Sequence, residues 1–101
     1  MIGVCLPLRV AADHPAYAGH FPGHPVLPGV VLLDSALLVL ARHLGRTEGI
    51  GQIKSAKFLS PVLPGEELDL IFEVSASGDL RFEIRAGERA VASAIFAFVD
   101  A

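Results

Sequence analysis

Residues 28–45 read PGVVLLDSALLVLARHLG, and this stretch decides what fold the chain can adopt. Pro28-Gly29 opens a helix that runs to about Leu44. Arg42 and His43 fall in its last turn, where cations complement the negative end of the helix dipole, and Gly45 is the expected stop. Val30 to Leu33 and Leu37 to Leu40 surround this helix completely. A helix that is apolar all round must be buried all round. The apolar run from Val30 to Ala41 is well short of the ~20 residues a membrane span needs, and Asp34 interrupts it. The helix must therefore be wrapped in protein.

Outward from the helix, the chain supplies the wrapping. Residues 2–11 read as a strand. Residues 12–28 hold four of the seven prolines and three of the four histidines, and read as a long loop. Beyond the helix, residues 50–60 form a strand that ends at Pro61 and the turn signal Pro64-Gly65. Leu68, Leu70, Phe72 and Val74 then alternate with Asp69, Ile71, Glu73 and Ser75. After Ser77-Gly78-Asp79, the period of two returns as Leu80, Phe82 and Ile84 against Arg81, Glu83 and Arg85. This is the pattern of half-buried antiparallel strands joined by tight turns. Gly87-Glu88 makes the last turn, and the final strand, VASAIFAFV at 91–99, has so little polar face that it should be covered on both sides. The expected fold class is α+β: one domain over residues 1–101, a curved antiparallel sheet of about five strands around one central helix. Such a sheet covers only one side of the helix, so the other side calls for a second subunit and a dimer.

Composition narrows the class further. Of 101 residues, 52% are apolar and 19% charged, which excludes a disordered chain. Cys5 stands alone, so no internal disulfide forms, and it reads as a small buried hydrophobe. MIGVCLPLRV has no basic residue ahead of its apolar run and no small-residue cleavage site after it, so a cytoplasmic oligomer is expected. The net charge of −3, without any block of like charges, argues against nucleic acid as a partner. Positions 42–57 are the exception: Arg42, Arg46, Lys54 and Lys57 face Glu48 as their single acid. They form either a solvated basic edge or a docking patch for an acidic partner.

Three elements carry candidate chemistry. Asp34 sits in the second turn of the apolar helix, where a buried carboxylate must be paired, protonated or facing a cavity. Desolvation keeps such a carboxyl protonated and suits it to act as a general acid; the alternative is a structural Asp bonded to loop backbone. In the preceding loop, two glycines and two prolines surround His20 in Gly19-His20-Phe21-Pro22-Gly23-His24-Pro25. An imidazole is the natural base near neutral pH, although a lone loop histidine also reads as a surface residue. His14, His20 and His24 lack helical or paired-Cys spacing and a fourth ligand, which disfavours zinc. Pro28-Gly29 leaves helix-terminal amides without intrahelical acceptors, and Gly29 lets a ligand approach closely enough for its N–H to stabilise an oxyanion; an ordinary helix start is the alternative. Base, acid and oxyanion donor lie within fifteen residues, and together they suggest elimination of a hydroxyl β to a carbonyl.

The run GHFPGHPVLPGVVLLDSA at 19–36 resembles the signature of the 3-hydroxyacyl-(acyl carrier protein) dehydratases of the hotdog fold, and KFLSPVLPGEEL at 57–68 resembles the same family's strand-and-turn segment. The resemblance covers the chain from about Asp13 to its end. It implies a sheet wrapped around one helix, with two such units paired into a continuous sheet. It implies a catalytic histidine at His20, a catalytic carboxylate at Asp34 and a carbonyl-polarising amide at Gly29, with His20 and Asp34 meeting across a dimer interface. Phe21, Pro22, Gly23, Leu27, Pro28 and Phe58 are then the candidate substrate-binding residues. Arg42, Arg46, Lys54 and Lys57 are the candidate contacts to an acyl carrier protein bearing a phosphopantetheine-linked 3-hydroxyacyl chain. No cofactor or metal is implied.

The implied reaction is dehydration of a 3-hydroxyacyl thioester to the trans-2-enoyl thioester, in fatty-acid or polyene-type biosynthesis. The implied assembly is a homodimer, a trimer of dimers or a heterodimer with a related subunit. Members usually carry Ala and Gln where this chain has Ser35 and Leu38. The missing Gln, together with the small size of the chain, motivates an alternative, a non-catalytic hotdog subunit that binds a carrier or pairs with an active dehydratase. A hotdog acyl thioesterase is the further alternative.

Overall fold

The period-two patterns of the second half of the chain become a sheet because each alternating row finds its match on the next strand. The computed structural model describes residues 4–9, 29–45 and 51–98. Its elements are β1 (Val4–Leu8), α1 (Gly29–His43), β2 (Gly51–Phe58), β3 (Leu68–Val74), β4 (Leu80–Ala86) and β5 (Arg89–Phe98). The strands form one sheet in the order β1-β3-β4-β5-β2, every pair antiparallel. Residues opposite one another in such pairs share a face. Phe72 opposes Phe82, which opposes Ala94, and Leu70 opposes Ile84, which opposes Ala92. All six are buried and join Leu32, Leu33, Ala36 and Leu40 of α1 in a single core. Burying each large apolar side chain in such a core contributes roughly 1.5–3 kcal/mol. Arg81, Glu83 and Arg85 occupy the outer row of β4, as the alternation predicts.

The helix is apolar all round but, within one chain, is buried on one side. Leu32, Leu33, Ala36, Leu40 and Ala41 face the sheet. Asp34, Leu38 and Arg42, four residues apart, form an exposed stripe on the opposite side, with Leu38 52% accessible. The chain ends α1 where the sequence places the stop. Gly45 adopts φ 72°, and its N–H donates to the Arg42 carbonyl at 3.2 Å. His43 packs edge-on against Phe72 at 5.4 Å between ring centroids. No helix among the described residues is long and apolar enough to cross a membrane.

Other expectations need correction. Among the described residues of the strand expected at 2–11, Val4–Leu8 are strand and Arg9 lies beyond it. Cys5 is exposed, because it belongs to the outer row of an edge strand. The outer row of β5, Ser93, Ile95 and Ala97, is half-buried rather than covered. The strand expected at 50–60 ends at Phe58, since the N–H groups of Leu59 and Ser60 turn to the Val91 carbonyl at 2.8 and 3.2 Å. Every residue of β2 is exposed: among the described residues its one neighbouring strand is β5, on one edge.

The turn after β2 is stapled to the start of β5. Arg89 Nη2 donates to both oxygens of Glu66, at 2.8 and 2.7 Å, and to the Pro61 carbonyl at 3.2 Å. The Leu63 N–H donates to Glu66 Oε1 at 2.8 Å. The Arg89 hydrogen bond, followed by that from Leu63, holds the Glu66 carboxyl below its ordinary value of 4.5. The folded-state pKa is depressed, so this stabilisation is complete above the unfolded value and is lost as pH falls through the folded value. Glu66→Gln should therefore lower the denaturation midpoint at pH 7 by more than at pH 3. Equal losses at the two pH values would show that the carboxylate charge contributes nothing.

Candidate active site

The start of α1 and the end of β2 meet at one point. A Cβ placed on Gly29 would lie 2.6 Å from Cε1 and 2.8 Å from Cζ of Phe58. The Phe58 ring thus fills the space a side chain would take, and the absence of one at Gly29 is what admits it. Phe58 is 54% accessible, so the ring stands beside the helix terminus with much of its surface open. The first amides of a helix have no intrahelical acceptor and sit at the positive end of its dipole. The pair therefore offers an N–H group for a developing oxyanion and an apolar wall for the chain attached to it. Phe58 and Gly29, expected as binding and oxyanion residues, are in contact.

Asp34 is elsewhere on the helix. It lies five residues beyond Gly29, roughly 7.5 Å along the axis, on the exposed stripe opposite the buried face. Within one chain Asp34 lies on the side of α1 that the sheet leaves open, the side for which the sequence calls for a second subunit. Asp34 makes no hydrogen bond or ion pair among the described residues. His20, Phe21, Pro22, Gly23, Leu27, Pro28 and Arg46 lie outside the described residues.

Of the four basic residues read as one docking patch, the three described ones, Arg42, Lys54 and Lys57, differ in their surroundings. Lys54 Nζ is bound to Asp79 Oδ2 at 2.8 Å. Arg42 belongs to the exposed stripe of α1, on the inner side of the sheet. Lys57, in register with Ser93, is on the outer side. A further cation, Arg81, lies near Lys57 on the outer side of the sheet. Its alternation with Leu80 and Phe82 puts it in the outer row, but only the strand order β4-β5-β2 brings it near Lys57.

Comparison with known proteins adds to this geometry. The ApeI-like family model, described as ApeI dehydratase, matches residues 3–95. A 3-hydroxyacyl-(acyl-carrier-protein) dehydratase FabZ of Latilactobacillus sakei is 44% identical over 69 residues, 61% of this chain and 49% of its own length. The protein of the same name from Levilactobacillus brevis is 35% identical over 104 aligned positions, covering 92% of this chain and 70% of that one. The chain thus spans about half the length of the first relative and more of the second. Among solved structures, the dehydratase heterocomplex ApeI:P from Xenorhabdus doucetiae superposes with a TM-score of 0.77 at 24% identity, over 95% of this chain and 86% of that one. The fold is the hotdog fold.

Proposed function

This chain belongs to the ApeI-like dehydratase family, and on that premise we propose that it removes water from a 3-hydroxyacyl thioester carried by an acyl carrier protein. His20 takes the proton from the carbon α to the thioester. The electron pair moves onto the carbonyl oxygen, which the Gly29 N–H stabilises. As the pair returns, the double bond forms between the α and β carbons and the β carbon–oxygen bond breaks. The partner subunit's Asp34 protonates the departing hydroxyl, and water leaves the trans-2-enoyl thioester. No cofactor takes part, and a cytoplasmic setting suits a carrier-bound substrate.

The family match over residues 3–95 carries this reading. Two structural features support it. Asp34 is exposed and unpaired among the described residues, as suits a group that serves a neighbouring subunit. Among the described residues one edge of β2 has no strand beside it and all its residues are exposed, which supports a second copy continuing the sheet there. The test is incubation with a 3-hydroxyacyl carrier protein, read by intact mass. Loss of one water is expected from the wild-type chain and none from His20→Ala. Release of free acid and free carrier thiol would mark a thioesterase, and an unchanged mass would sink the proposal for the chain acting alone.

One observation favours a second reading. Leu38, where members carry Gln, sits exposed beside Asp34 on the same stripe and offers the carboxyl no hydrogen bond. A chain of this kind can serve as the non-catalytic half of a mixed pair, and the solved ApeI:P assembly is itself a heterocomplex. In that case the chain alone leaves the substrate mass unchanged, yet binds an active dehydratase of the same fold.

A further inference from the structure

More than half of Phe58 is accessible, and the strand it ends is exposed along its whole length. Side-chain packing therefore does little to fix the ring, and its place follows from the backbone beneath it. That backbone is fixed just past the strand. Pairing with β5 stops at Phe58, opposite Ala92. The N–H groups of Leu59 and Ser60 then share one acceptor, the Val91 carbonyl, so the chain turns about a single point. Pro61 follows and has no N–H to donate. Of the apolar side chains in this turn, Val62 joins the core, while Leu59 and Leu63 are exposed.

The first residue of β5 closes the turn. Arg89 Nη2 donates to the Pro61 carbonyl and to both oxygens of Glu66, and Glu66 Oε1 also accepts the Leu63 N–H. One guanidinium nitrogen thus ties both ends of residues 61–66 to the strand that β2 pairs with. Charge-assisted hydrogen bonds of this kind are roughly twice as strong as neutral ones. We propose that Arg89 and Glu66 are positioning residues, whose clasp sets the direction in which the chain leaves β2 and so holds the Phe58 ring against the Gly29 terminus. They act through Phe58 and not on the reacting atoms. The proposal rests on the dehydratase reading above, in which that ring and that amide align the thioester. The clasp is partly exposed, with 44% of the Arg89 side chain accessible, and exposed ion pairs contribute little to global stability. Its loss leaves the fold standing and frees the turn.

Glycine-selective isotope labelling reads the ring directly, because an aromatic ring shifts the resonances of the groups it touches. The Gly29 amide signal is the one lost in Gly29→Ala. It should move in Phe58→Ala, and in Arg89→Gln and Glu66→Gln it should move toward its Phe58→Ala position, while the signals of Gly45 and Gly78 stay. A Gly29 signal unchanged in both clasp variants would overturn the proposal. Kinetics with a 3-hydroxyacyl carrier protein test the consequence. In Arg89→Gln, kcat/KM should fall about ten-fold, inside the range that misplacement by about 1 Å produces. In a Phe58→Ala background the same change should cost less than about two-fold, because the ring it positions is gone. Equal losses in the two backgrounds would reduce the pair to a structural role and overturn the proposal. If the wild type turns over no 3-hydroxyacyl thioester, the dehydratase reading fails by itself, and the glycine spectrum still decides whether the clasp holds the ring.

Discussion

Asp34→Asn should lower kcat for dehydration by about 10²–10⁴-fold, the range over which a positioned general acid contributes. KM should change little. The substitution keeps the shape of the side chain and removes only its capacity to deliver a proton. It should also leave stability nearly intact, because Asp34 is exposed and makes no hydrogen bond or ion pair among the described residues. Surface changes of this kind usually stay within about 0.5 kcal/mol. A fall in activity without a fall in melting temperature would separate a chemical role from a structural one. A kcat within a few-fold of wild type would remove Asp34 from the reaction. The proposal that His20 and Asp34 meet across two subunits makes a stricter demand. Mixing Asp34→Asn with His20→Ala under exchange conditions should restore about a quarter of wild-type activity, because each mixed pair rebuilds one of its two shared sites. No recovery in a mixture proven to exchange would place both residues in one chain's site.

Gly29→Ala tests the other half of the site. The added methyl meets the Phe58 ring at 2.6–2.8 Å, well inside van der Waals contact. Phe58 is more than half accessible, so its ring gives way before the helix does. The cost then falls on the site rather than on the fold: the apolar wall leaves the helix terminus, and substrate loses its alignment with the amide. Misplacement on the scale of 1 Å costs up to about 10²-fold, and kcat/KM should fall by about 10–100-fold. Pairing the change with Phe58→Ala removes the clash, so the double variant should show less than the product of the two single effects. Strict multiplicativity would mean that the two residues act independently and that their contact has no part in catalysis.

The sheet was legible because alternation is a local signal. Leu70, Phe72, Phe82 and Ile84 announce the inner face two residues at a time, and strand pairing only confirms their rows. The helix was legible in extent but not in environment. The sequence around Asp34 is as apolar as that around Leu40, yet one residue is exposed and the other buried. What distinguishes them is which side of α1 the sheet occupies, and no local pattern encodes that. Cys5 fails for the same reason, since an edge strand and a central strand look alike over five residues. The basic residues of positions 42–57 were grouped by counting charge along the chain, whereas pairing across the sheet regroups those that are described. Lys54 and Asp79 are 25 residues apart and neutralise each other, while Lys57 finds its companion in Arg81 across β5. The contact of Phe58 with Gly29 depends on how the end of β2 crosses the helix start.

The exposure of β2 has a further consequence for how well organised the site can be. A strand exposed along its whole length, with one neighbouring strand among the described residues, is held there chiefly by its ladder to β5. Such elements open locally well before a domain unfolds, and their amides exchange with solvent early. Phe58 ends this strand, so each opening of β2 also lifts the ring from Gly29. Apparent affinity for anything that needs both groups is therefore scaled by the fraction of time β2 is closed. Whatever caps that edge stiffens the strand and, through it, tightens binding at the helix terminus without touching the ligand.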